Sequence, residues 1–185
     1  MKKGYSIILG ILICITFSNC SKNQKDLKEV YNQKANELIS QIIQDNNCEC
    51  LLEIPSEPLV EISLAENPRY DIRVFLAKEL NASSEASLDS LVSISKDFRF
   101  NTETLQKNHV EIITIENLRT LKSGKDTTLL KMCPKGILGF RKPVFDKTFQ
   151  KAVLDHGDVF ASVVVLPFPT YEFKKDKWER IEINK

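Results

Sequence analysis

Glycine is scarce in this 185-residue chain, which has six, and it carries only two histidines and one tryptophan. No Gly-rich phosphate loop, no H-E-x-x-H helix and no nucleophile elbow can be found in it. Neither sign of charge dominates, with 26 basic residues against 25 acidic ones. That balance argues against a nucleic-acid partner, which calls for a basic face or stripe. No cofactor motif is present. No apolar run reaches the roughly 20 residues that a membrane-crossing helix needs.

What is there begins at the amino end. Lys2 and Lys3 precede an uncharged stretch, Gly4 to Asn19, centred on the apolar run from Ile7 to Ile15. A short apolar centre behind a positive start is the layout of a secretory signal peptide. The stretch ends in Phe17-Ser18-Asn19-Cys20, which resembles the lipobox of bacterial lipoproteins. Phe17 and Asn19 stand where Leu and Gly or Ala are commonest. The resemblance implies cleavage before Cys20 and lipidation of that residue. The alternative is a plain cleaved signal followed by a coincidental cysteine. Two or more acyl chains anchor a protein stably, whereas one binds marginally.

The organisation expected is a lipoprotein signal peptide over 1–19, a tether over 20–26 and one domain over 27–185. Removing the signal leaves 166 residues, in which 24 basic side chains face 25 acidic ones. That length suits a single sizeable core. The partners expected are the membrane, through the lipid, and an envelope protein or small ligand. The location expected is the bacterial cell envelope, at the outer membrane by analogy, because Ser21 is not the Asp that often retains lipoproteins at the inner membrane.

Cys48, Cys50 and Cys133 remain in the mature chain. Export makes a disulfide chemically permissible. In extended chain, residues i and i+2 lie about 6.5–7 Å apart at Cα, at or beyond the disulfide limit. Cys133 with Cys48 or Cys50 is therefore the expected pairing, leaving one thiol free. A metal held by the three thiols is the other reading, though no histidine lies near them in sequence.

The fold class expected is α+β: an antiparallel sheet of about five to six strands with N-terminal helices packed on it. Leu27, Val30, Tyr31, Leu38, Ile42 and Ile43 recur at helical steps, and Asp45-Asn46-Asn47 ends the pattern. Leu59 to Leu64 alternates in part and suggests a strand. Helices are expected from Pro68 to Leu80 and from Glu85 to Asp97, with Leu88, Leu91, Val92 and Ser95 inward. Val110 to Ile115 is rich in β-branched residues and predicts a strand. The last third reads as strands over 137–145 and 151–155. Val159 to Leu166 suggests a strand buried on both faces. A closing hairpin is expected around Lys175-Asp176-Lys177, with a bulge because Trp178 falls out of phase with Ile181 and Ile183.

Arg141-Lys142-Pro143-Val144-Phe145-Asp146-Lys147, Lys151-Ala152-Val153 and Phe173 to Trp178 carry a second resemblance. Over about residues 85–185 the chain resembles uncharacterised Bacteroidota lipoproteins. These have a Pro-Ile/Val-Phe-Asn/Asp-Lys strand, a Lys-Ala strand and a closing Lys-x-Gly-Lys-Trp hairpin. The resemblance implies an antiparallel sheet with helices in the envelope, and no established activity comes with it.

Asp155-His156-Gly157-Asp158 is the best polar constellation. A histidine between carboxylates suits a general base or a metal ligand, so a small hydrolase or metal-dependent enzyme built on His156, Asp155 and Asp158 is the alternative to a non-catalytic binding module. Turns are also rich in Asp and Gly, and the binding module is the favoured reading. Ser93-x-x-Lys96 and Lys122-Ser123-Gly124 match penicillin-binding motifs. However, Ser93 falls inside a helix and the chain is too small for that fold. Glu49, Glu53 and Glu57 read as solvated. Lys174, Lys175 and Lys177 read as a charged tip that discourages edge pairing.

Overall fold

The computed structural model describes residues 4–55, 57–66, 68–122, 128–160 and 166–181. Helix α1 runs over Gly4–Asp45, passing without a break through the segment expected as a tether. No described helix is long and apolar enough to cross a membrane. Strand β1 (Cys50–Leu52) follows, then helices α2 (Leu59–Glu66), α3 (Ile72–Glu79), α4 (Glu85–Ser95) and α5 (Thr102–Lys107). Strand β2 (Glu111–Ile113) leads through α6 (Ile115–Lys122) and α7 (Thr128–Met132) to β3 (Leu138–Phe140). The rest is β-rich: β4 (Val144–Phe145), β5 (Lys151–Val153), β6 (His156–Asp158), β7 (Thr170–Lys174) and β8 (Lys177–Ile181).

The fold is mixed α and β, with helices early and strands late, but it holds two sheets rather than the single sheet expected. Among the described residues, one has the order β2-β1-β3-β6 and the other β4-β5-β7-β8. The first is not wholly antiparallel, because β1 runs parallel to both β2 and β3. Parallel neighbours need long crossovers, and α2 to α5 and α6 to α7 provide them. The second sheet is antiparallel throughout. Short strands explain the miss: three residues show too little periodicity to reveal which sheet they join.

Helix α1 packs against both sheets. Tyr31, Ala35, Leu38, Ile39 and Ile42 form its buried stripe and meet Leu51 and Phe140 of the first sheet and Phe145 and Trp178 of the second. The pleat sends alternate residues to other layers. Val144 and Val153 face α2, α3 and α4, with Leu59, Leu76 and Leu88. Cys50 and Ile113 face α6 and α7, with Leu118 and Cys133. The buried hydrophobic residues described run from Tyr31 to Trp178, so a chain starting at Ser21 keeps all of them.

Two further expectations are corrected. Leu59 to Leu64 is helical, with the Ile62 N–H on the Pro58 carbonyl at 3.2 Å. Proline just ahead of a helix is pre-organised for it, and Glu61 suits the positive end of the first turn. There is no bulge at Trp178: the register runs evenly from Phe173↔Trp178 to Thr170↔Ile181. Trp178 is buried toward α1 beside Phe173, with ring centroids 5.2 Å apart. Ile181 lies on the opposite, half-buried side. Ile183 and residues 161–165 of the expected buried strand lie outside the described residues.

Candidate functional site

Strand β6 presents the polar cluster, and pairing with β3 places Phe140 opposite His156 and Leu138 opposite Asp158. The three expected side chains take separate partners. Asp155 turns to Arg141, its Oδ2 3.8 Å from Nε. Asp158 Oδ1 accepts the Phe160 N–H at 2.8 Å and closes the turn after β6. The Nε2 of His156 lies 2.5 Å from the Tyr171 hydroxyl oxygen. The imidazole packs between the rings of Phe140 and Tyr171. Burial, helped by the Arg180 charge, pushes its pKa down from 6.5 to about 4. Burial pushes the Tyr171 hydroxyl up to about 12, so both are neutral at pH 7 and share a hydrogen bond.

A residue that sequence reasoning did not place here joins the cluster. Cys48 lines a cleft of about 290 Å³ with His156 and Asp158. Cys48 is the free cysteine, because Cys50 is bonded to Cys133. Position explains the choice: Cys50 opens β1 and faces the α6–α7 layer that carries Cys133, whereas Cys48 lies ahead of the strand, outside its pleat, and packs against the α1 side. The Cys48 thiol donates to the Cys50 carbonyl at 2.9 Å. Burial, more than any charge, raises its pKa, so it stays a thiol and is a poor nucleophile. Lys135 and Glu49 pair at 2.6 Å beside this cleft. Among the described residues no three His, Cys, Asp or Glu side chains are placed to hold a metal ion.

The other matches disperse. Ser93 is exposed within α4, and Lys96 caps that helix and pairs with Glu61 at 3.9 Å. The Lys96 carbonyl accepts the buried Lys142 ammonium at 2.6 Å, a cation at the negative end of a helix. Lys122 ends α6, while Ser123 and Gly124 lie outside the described residues. Glu53 is more than solvated, since its Oε1 accepts the Ile115 N–H at 3.0 Å and caps α6. Lys174 and Lys177 pair with Glu172 and Glu179 along the hairpin, so its tip is less basic than it reads.

A different recess has the character of a binding site. Leu27 and Tyr31 line it from α1, Leu91 and Ile94 from α4, and Phe145 and Phe149 from the β4–β5 turn. Its volume is about 360 Å³, at the lower end of the range for small-molecule sites. Residues 27 and 31, and 87, 90, 91 and 94, fall at helical steps, so each helix offers one face. The Tyr31 hydroxyl is committed to the Pro143 carbonyl at 2.8 Å. Asp146 is committed too. Its Oδ1 accepts the N–H groups of Gln150 and Lys151, and its Oδ2 accepts the Thr148 hydroxyl. The rim also carries Ser90 and Lys147, both exposed. This groove was invisible in the sequence, because it is assembled from three distant segments.

No known protein family, curated protein or solved structure matches the chain.

Proposed function

We propose that this chain is an envelope lipoprotein, tethered by lipid on Cys20 after cleavage of residues 1–19, whose single domain is a non-catalytic binding module. The observation that carries the binding role is the mainly apolar α1–α4 groove, lined chiefly by aromatic and aliphatic side chains, with its one carboxylate, Asp146, occupied by donors of its own turn. The signal layout and the resemblance to Bacteroidota lipoproteins support the tether. The Cys50–Cys133 disulfide suits an oxidising compartment outside the cytoplasm.

The β6 cleft favours a second reading, thiol or acid–base chemistry, because Cys48, His156 and Asp158 share it. The electrostatics count against it. A base is most effective with a pKa near the working pH, and burial holds His156 at about 4.

The test is metabolic labelling with an alkyne fatty acid in the native host, followed by capture of the labelled protein with its envelope partners. Label that vanishes in Cys20→Ala supports the tether, and a partner lost on filling the groove supports the module. Label that persists in Cys20→Ala refutes the tether. A partner that depends on Cys48 and His156 instead of the groove refutes the module.

A further inference from the structure

The α1–α4 groove also carries a ligand class. It is half-open and elongated along α4 from Ser87 to Ile94, seven residues or about 10 Å of helix. Its walls are mainly hydrocarbon, from Leu27, Tyr31, Leu91, Ile94, Phe145 and Phe149, which suits an apolar chain. Its polar groups are few and unequal. Asp146 has its carboxylate occupied by three donors of its own turn. Lys147, next in sequence, is exposed and has no ion pair among the described residues. Ser87, on the α4 wall, has a buried Oγ without a hydrogen-bond partner. An apolar slot with one uncommitted cation at its rim complements an amphiphile with a single negative head.

From this geometry we infer that the groove binds a fatty acid, its tail lying along α4 and its carboxylate at Lys147. The inference rests on the reading of the domain as a binding module and names what that module takes. Burying the tail is the driving force, at about 0.8 kcal/mol per CH₂, and Lys147 selects the charged head.

The protein carries its own reporter. Trp178 is the one tryptophan in the chain. It is 4% exposed, so quenchers in bulk solvent do not reach it. Its ring centroid lies 5.6 Å from that of Phe145, which lines the groove. The experiment titrates the chain from Ser21 to Lys185 with stearic acid brominated at mid-chain, below its micelle concentration. Saturable loss of Trp178 emission is expected, with unbrominated stearic acid producing none.

Two surface variants locate the ligand. Ser90→Phe fills the slot and should abolish quenching while leaving the unfolding transition unchanged. Lys147→Glu should raise the half-saturating concentration about fivefold, the size expected of one exposed charge contact. Absence of saturable quenching, or equal quenching in Ser90→Phe, overturns the proposal. An unchanged half-saturation in Lys147→Glu overturns the placement of the head. Lipidation of Cys20 is read separately on native protein, so an empty groove leaves the tether standing and an unlipidated Cys20 leaves the groove result untouched.

Discussion

The Tyr31 hydroxyl donates to the carbonyl of Pro143 at 2.8 Å in the buried interior. Pro143 lies between β3 of the first sheet and β4 of the second, so this bond ties α1 to the crossing from one sheet to the other. The same ring meets Phe145 edge-on at 5.6 Å and lines the groove. Burial alone lifts the hydroxyl pKa well above 10, which keeps the donor protonated at any ordinary pH. Tyr31→Phe preserves the ring and strands the carbonyl. A loss of about 1–3 kcal/mol is expected, measured by urea denaturation, and an unchanged midpoint would refute this role.

The disulfide should be a major part of the stability. It joins residues 83 apart, and loop closure of that size constrains the unfolded chain by about 4.5 kcal/mol on the chain-entropy account. Reduction, or Cys50→Ala with Cys133→Ala, should lower stability by several kcal/mol. Cys48→Ser should cost far less. Alkylation of the unfolded, unreduced chain from Ser21 onward should modify one cysteine, Cys48, and alkylation after reduction should modify three.

Acid should weaken the protein through His156. Its folded pKa, about 4, lies below the ordinary 6.5, so the unfolded chain takes up the proton first as pH falls. The contribution is therefore complete above pH 6.5, declines between 6.5 and 4, and is gone below 4. Its full size is at most about 3 kcal/mol. His156→Gln retains a hydrogen-bonding partner for Tyr171 without a titrating ring. The variant should show a flatter stability profile across that window, read by urea midpoints at several pH values.

The closing hairpin can be improved. Lys175 and Asp176 form its two-residue turn with φ of 49° and 64°, the left-handed pair that matches strand twist. Every side chain meets some steric cost in that region, Asn and Asp less than others, and glycine none. Asp176→Gly should stabilise by about 0.5 kcal/mol, because glycine adopts positive φ without steric cost. A thermal melt that shifts downward would contradict the turn geometry.

Legibility followed element length. The α1 stripe was readable from Tyr31 to Ile43 because several helical turns repeat the same spacing, but Leu27 and Val30 are exposed, and the buried Ala35 and Ile39 were not picked out. The α4 face was readable too, with Leu88, Leu91, Val92 and Ser95 all buried. Two sheets could not be separated, since β4 has two residues and β3, β5 and β6 have three. The mixed first sheet was hidden because strand direction depends on crossovers that carry no local signal. Asp155, His156 and Asp158 were found as a cluster, but Arg141 draws Asp155 away, and His156 and Asp158, though they share a cleft, take separate partners in Tyr171 and the Phe160 N–H. The role of Cys48 beside His156 had no sequence signal, for 108 residues separate the two.

Everything proposed for the cellular role depends on how the amino end is processed, and mass spectrometry of the amino-terminal peptide from the native host tests that most directly. The account predicts a peptide beginning at Cys20 with its mass raised by diacylglycerol and fatty acyl groups. A peptide beginning upstream of Cys20, or beyond it, or at Cys20 without lipid, would contradict it.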